Sequence, residues 1–157
     1  MKKIIILELI EISDKKISHL NNIYKLTKNQ GEAIEADNMD KLQVYTNNKQ
    51  KEIDKINILD DAFINKYHEY KKDNSASLEI ENGDLLQDIN KLKDCIERIS
   101  CILASISQLE LQNNNKICES FNRVKAKLKK IRQGKNVIKE YRNYKKISSS
   151  SFINKTK

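Results

Sequence analysis

The sequence predicts an all-α fold: an elongated antiparallel coiled-coil bundle of three long helices, with length left over for a fourth short C-terminal helix. Three observations predict it. The 157 residues include no proline and only three glycines, Gly31, Gly83 and Gly134. A third of them are charged, the composition of long helices and coiled coils. Apolar residues also recur three or four positions apart over most of the length, the spacing of a helix seam.

The first helix is expected over about 4–35. Its apolar row runs Ile6, Ile10, Ile17, Leu20, Tyr24 and Ile34, with Ser13 and Thr27 in register, and Gly31 weakens it without ending it. At Ala36-Asp37-Asn38 the row stops. Asp37 or Asn38 can accept from the free amides opening a second helix, and Asp40 adds favourable charge in its first turn. That helix, over 39–71, carries Leu42, Tyr45, Ile53, Ile56, Leu59, Phe63, Tyr67 and Tyr70. Lys49 is the one charge in its row, and a lysine there can bury its stem while its ammonium stays wet. Residues 72–84 lose the periodicity and read as a linker capped by Asp84.

The third helix, over 84–133, shows Leu85, Ile89, Leu92, Ile96, Ile99, Leu103 and Ile106 at unbroken 3-4 steps. The same register places Glu110 and Asn113 on the seam, then Ile117, Ser120, Val124, Lys127 and Ile131. At ~1.5 Å per residue the first two helices reach about 48 Å each and the third about 75 Å. Two outcomes are open. The end of the third helix passes beyond the turn at Ala36, or Asn113-Asn114-Asn115 breaks it and the remainder folds back as a fourth helix. Asn costs a helix only a fraction of a kcal/mol, which favours the first. Gly134 is the expected C-terminal cap, so residues 1–134 form the bundle domain and 135–157 a basic, partly disordered tail.

Charge is unevenly placed. From Arg123 to Lys157 there are 13 basic residues against Glu140 alone, a balance of +12; the whole chain carries +8, so residues 1–122 carry −4. Such a tail suits an acidic protein surface, a nucleic acid or an anionic membrane. The run RVKAKLKKIRQGK could neutralise phosphates, yet Val124, Leu128 and Ile131 recur within it at helical spacing. No recognition-helix module or aromatic platform accompanies it.

Enzyme chemistry finds no footing. His19 and His68 lie in different helices without ligand-spaced partners, and no cysteine has a histidine beside it in sequence to stabilise a thiolate. Cys95, Cys101 and Cys118 share one helix, whose rigid spacing forbids disulfides among them. Phosphate-loop motifs are missing, and no metal or cofactor is implied. The opening MKKIIILELIEI breaks at Glu8 and Glu11 with no cleavage site after it, and no apolar run approaches the ~18 residues of a membrane span. A cytoplasmic protein is therefore expected.

Two stretches carry a family likeness: NQGEAIEADNMDKLQVYTNNKQKEIDKINILDDAF, a helix ending in a short acidic turn and re-entering as a Lys-rich helix, and INKLKDCIERISCILASISQLELQNNN, a long helix arriving at asparagine. With the basic IRQGKNVIKEY after them, the chain from Ile6 to Tyr141 resembles the FlgN-type flagellar export chaperones. The resemblance implies a cytosolic type III secretion chaperone that holds hook-filament junction proteins, through their amphipathic terminal helices, before they can assemble. It also implies a client site in the C-terminal part, here Ile117, Phe121, Val124, Leu128 and Ile131, extended by Val137, Ile138 and Tyr141. The export apparatus and a second copy of the chain are further expected partners. The Ser-rich basic end beyond Tyr144 departs from the family pattern. Alternatives are a chaperone for another flagellar client and a basic-tailed coiled-coil protein that binds nucleic acid.

Overall fold

The computed structural model describes residues 2–73 and 83–155, with side chains described as far as Lys146. Among these residues all regular structure is helical: α1 (Lys2–Glu35), α2 (Met39–Lys72) and α3 (Gly83–Lys155). Two compact units divide the chain, residues 1–116 and residues 117–157. The expected linker lies mostly outside the described residues, although Asp84 does fall in the first turn of α3, where a carboxylate faces free helix amides.

The turn between α1 and α2 takes only three residues, and its hydrogen bonds explain why. Asn38 N–H donates to the Ala33 carbonyl at 2.9 Å and Asp37 N–H to that of Ile34 at 3.1 Å, the paired bonds of a Schellman cap. Asp37 supplies the left-handed residue that this cap needs, at φ 51°. Asn38 then opens α2 at once, its side-chain oxygen accepting from Lys41 N–H at 3.0 Å. One short segment thus closes one helix and starts the next, as expected at Asn38.

In residues 1–116, α2 runs antiparallel to α1, and α3 runs parallel to α1. The first relation is marked by Lys66–Glu8 (2.9 Å), Lys16–Asp60 (2.7 Å) and His19–Glu52 (2.6 Å), the second by Cys95–Asp14 (3.5 Å), Asn113–Thr27 (2.8 Å) and Lys116–Glu35 (2.7 Å). The more exposed ion pairs among these contribute about 0–1 kcal/mol each; apolar burial does the larger share. One cluster joins Ile6 and Leu9 to Leu85 and Leu92, and a second joins Leu20 and Ile23 to Ile56 and Ile106. Fully burying a side chain such as Leu9 stabilises by about 2 kcal/mol.

Helix α1 supplies most of the core because both other helices pack against it. Ser13 and Thr27, buried in its row, satisfy their hydroxyls on the carbonyls of Leu9 and Ile23 at 2.8 and 2.7 Å, the local bond open to such residues in a helix. Facing two neighbours widens the buried stripe and moves the expected register by one at alternate positions. Leu9 and Ile23 are buried, whereas Ile10 is half-buried and Tyr24 exposed. In α3 the same displacement buries Cys95 and half-buries Ile102, leaving Ile96 and Leu103 exposed. The 88, 95, 102, 109, 113 and 116 positions turn toward the bundle, while α3 meets α2 at Ile106 with Ile56, the only buried residue of α2, and at Glu110 with Lys49. Tyr67, expected in the α2 row, is exposed.

Lys49 behaves as its place in the row suggests. Its ammonium donates to Gln30 Oε1 at 3.1 Å and pairs with Glu110, and burial pushes it below the usual lysine range. Asn113 is 5% exposed, which places it on the seam as the register requires.

The helix assignment is unbroken through Asn113-Asn114-Asn115 and through Gly134, so the described residues contain no separate fourth helix. Gly134 was expected to cap α3 and does not: no glycine has positive φ. A helical glycine costs only about 1 kcal/mol, and the Lys, Arg, Gln and Leu residues around it favour the helix.

Candidate partner-binding face

The second unit is helical as far as Lys155, and nearly all of its described side chains face water. All residues from Phe121 to Lys146 are exposed, and so is every residue predicted for the client site: Ile117, Phe121, Val124, Leu128, Ile131, Val137, Ile138 and Tyr141 range from 46 to 66% exposure. Isolated apolar residues on a surface are ordinary, but a contiguous row marks an interaction site.

Helix geometry sorts the eight into two groups. Ile117, Phe121, Val124, Leu128 and Ile131 alternate steps of four and three, so they lie along one face, and Ile138 continues that face past Lys135. Val137 and Tyr141 lie roughly 100–150° around the helix from the centre of this row. Tyr144, 73% exposed, completes a second row with them at the i, i+4, i+7 spacing. Sequence reading left Tyr144 out, although the spacing was visible. A shallow depression of about 440 Å3 is lined by Phe121, Val124 and Leu128 with Lys125, Lys129 and Arg132. Apolar surface and cations therefore sit side by side.

Elsewhere the chemistry is quiet. Among the described residues no group of three or more His, Cys, Asp or Glu could hold a metal ion. Burial and the neighbouring Asp14 carboxylate push the Cys95 thiol up, which keeps it protonated and a poor nucleophile. Cys101 and Cys118 are free and exposed. Glu52 is raised by burial, but hydrogen bonds from His19 and Asn22 and the charges of Lys55 and His19 outweigh that and hold it below the usual carboxylate range. His19 and Glu52 thus form a pair between α1 and α2, flanked by Asn22 and Lys55. A second depression, about 250 Å3, opens where the α1 row passes through Ser13, bounded by Phe63, Ile64, Ile96 and Ile99. No described helix is long and apolar enough to cross a membrane.

A helical bundle whose chain continues into an exposed, basic, apolar-striped helix belongs to the class of proteins that present a surface to other chains. The comparisons narrow the class. The family model described as FlgN protein matches residues 1–149, and this chain belongs to the FlgN family, a family of flagellar export chaperones in type III secretion. No curated protein and no solved structure matches it.

Proposed function

We propose that the protein is a cytoplasmic chaperone for hook-filament junction proteins, which it holds by packing their amphipathic terminal helices against the row from Ile117 to Ile138, with Val137 and Tyr141 as a secondary contact. The carrying observation is the row itself. Six apolar residues at seam spacing are exposed on a helix dense in charge, which keeps it dissolved when the row is uncovered. A helix laid into such a row hides the client's apolar face reversibly, which is what delaying assembly demands. The seam spacing throughout the bundle also supports left-handed coiled-coil packing of α1, α2 and α3.

Phe121→Ala combined with Leu128→Ala tests the assignment. Both side chains are exposed, so the double variant should melt within about 0.5 kcal/mol of the parent while its affinity for a hook-filament junction protein falls at least tenfold. A collapsed melting temperature, or unimpaired binding by a well-folded variant, would refute it. The basic run supports a second reading, nucleic-acid binding, and salt separates the two. Neutralising six phosphates makes affinity fall steeply, with a slope near −5 in log–log terms, whereas apolar burial survives moderate salt.

A further inference from the structure

The charges beside the apolar row define the kind of helix it takes, an inference that rests on reading this row as the client surface. With Phe121 and Leu128 at one seam position of a heptad and Val124 and Ile131 at the other, the bordering positions are Lys125, Arg132 and Lys139 on one side and Lys127 on the other. All four are exposed. From Arg123 to Lys146 there are eleven basic residues and one acid, Glu140, and Glu140 is not at a border.

Border residues of one helix meet those of its partner in a helix pair and decide which partners are accepted. Two copies of this helix joined along the row would set cation against cation whichever way they ran, and would place Lys135 within the seam. A second copy is therefore a poor occupant. The row is also only two residues wide per heptad, the width of a helix-pair seam, and narrower than the face a helix buries in a membrane interface. A nucleic acid would use the cations but leave Phe121 and Leu128 in water.

We propose that the occupant is an amphipathic helix whose own apolar row is bordered by Asp and Glu, so that carboxylates face Lys125, Arg132, Lys139 and Lys127. The apolar row holds the client; the borders select it and speed its arrival.

The test uses the full chain and two synthetic helical peptides with identical apolar positions, one bordered by Glu and one by Lys, with fluorescence anisotropy as the readout. The Glu-bordered peptide should bind about tenfold tighter, the combined effect of several exposed opposite-charge pairs. Lys125→Glu with Arg132→Glu and Lys139→Glu should reverse the preference without changing the helical circular dichroism, and Phe121→Ala with Leu128→Ala should weaken both peptides. Equal affinities would overturn the charge rule while leaving the row as a binding face. Binding of neither peptide by a chain that still holds its hook-filament junction client would overturn the reading of the row itself. Preference for phosphatidylserine vesicles or single-stranded RNA over both peptides would replace the helix with another class of partner. A dimer that the double alanine substitution dissolves would make a second copy the occupant.

Discussion

Replacing Gly31 by alanine should destabilise the protein, although alanine is the better helix former. The residue lies inside α1, where Gly→Ala ordinarily gains about 1 kcal/mol. Here a Cβ would stand 2.6 Å from Asn113 Oδ1 and 3.2 Å from Lys116 Nζ. The lysine end can retreat. Asn113 cannot do so cheaply, because its side chain is short, it is buried, and its Nδ2 donates to the Thr27 carbonyl at 2.8 Å. Displacing it breaks that bond and strands a buried amide, a cost of about 1–3 kcal/mol. The net expectation is a loss of about 1 kcal/mol. In an Asn113→Ala background the obstacle is gone, and the same Gly31→Ala should stabilise by about 1 kcal/mol. The coupling is therefore about 2 kcal/mol, with the substitution changing sign between backgrounds. Urea unfolding followed by circular dichroism of the four proteins closes the double-mutant cycle. Stabilisation by Gly31→Ala alone, or the same effect in both backgrounds, would refute the reasoning.

Two further predictions concern the hairpin of α1 and α2. Asn38→Ala removes the side chain that caps α2 at Lys41 N–H and should cost about 1 kcal/mol, measured as a lower urea midpoint at unchanged slope. Glu52 has a folded-state pKa held below its unfolded value, so the stability it contributes is present above the unfolded value and lost as pH falls through the folded one. Glu52→Gln should therefore flatten the fall in melting temperature on the acid side, below about pH 4.5; an unchanged acid limb would show that the pair with His19 contributes nothing.

Helix number, the turn at Asn38 and the seam position of Asn113 were all legible in the sequence, because each depends on local spacing or on a residue with a narrow conformational role. The register of alternate seam positions was not. Ile10 and Leu9, or Ile96 and Cys95, are neighbours on a helix, and only the number of helices packed against that face decides which one is covered. A sequence that reads Ile over Cys at 96 and 95 favours the wrong one, since burial follows the geometry of α1 while hydrophobicity alone points to isoleucine. The role of Gly31 was hidden for a related reason: a glycine that merely weakens a helix and one that admits a side chain from 82 residues away look alike until the helices are paired. In the candidate face, five seam-spaced residues can be read directly, whereas Val137 and Tyr141 are near them only in sequence. Helix phase puts those two on another side with Tyr144.

The parallel run of α3 beside α1 has a consequence for how the chain finds its structure. Contacts between α1 and α2 begin at the turn and widen steadily, with partners 16, 33 and 44 residues apart, so each closes a loop only slightly larger than the last. Contacts between α1 and α3 have no such ladder: Asp14 meets Cys95 across 81 residues and Thr27 meets Asn113 across 86. Closed from the open chain, such a loop carries nearly full entropic cost; once the hairpin has brought the end of α2 beside the start of α1, as Lys66–Glu8 shows, most of that cost is already met. On a ribosome the hairpin can zip while α3 is still being synthesised, with one side of α1 left open to water until then. Folding rates measured on single-site variants should accordingly divide, substitutions at Asn38 slowing the first phase and those at Cys95 or Asn113 acting on docking and unfolding.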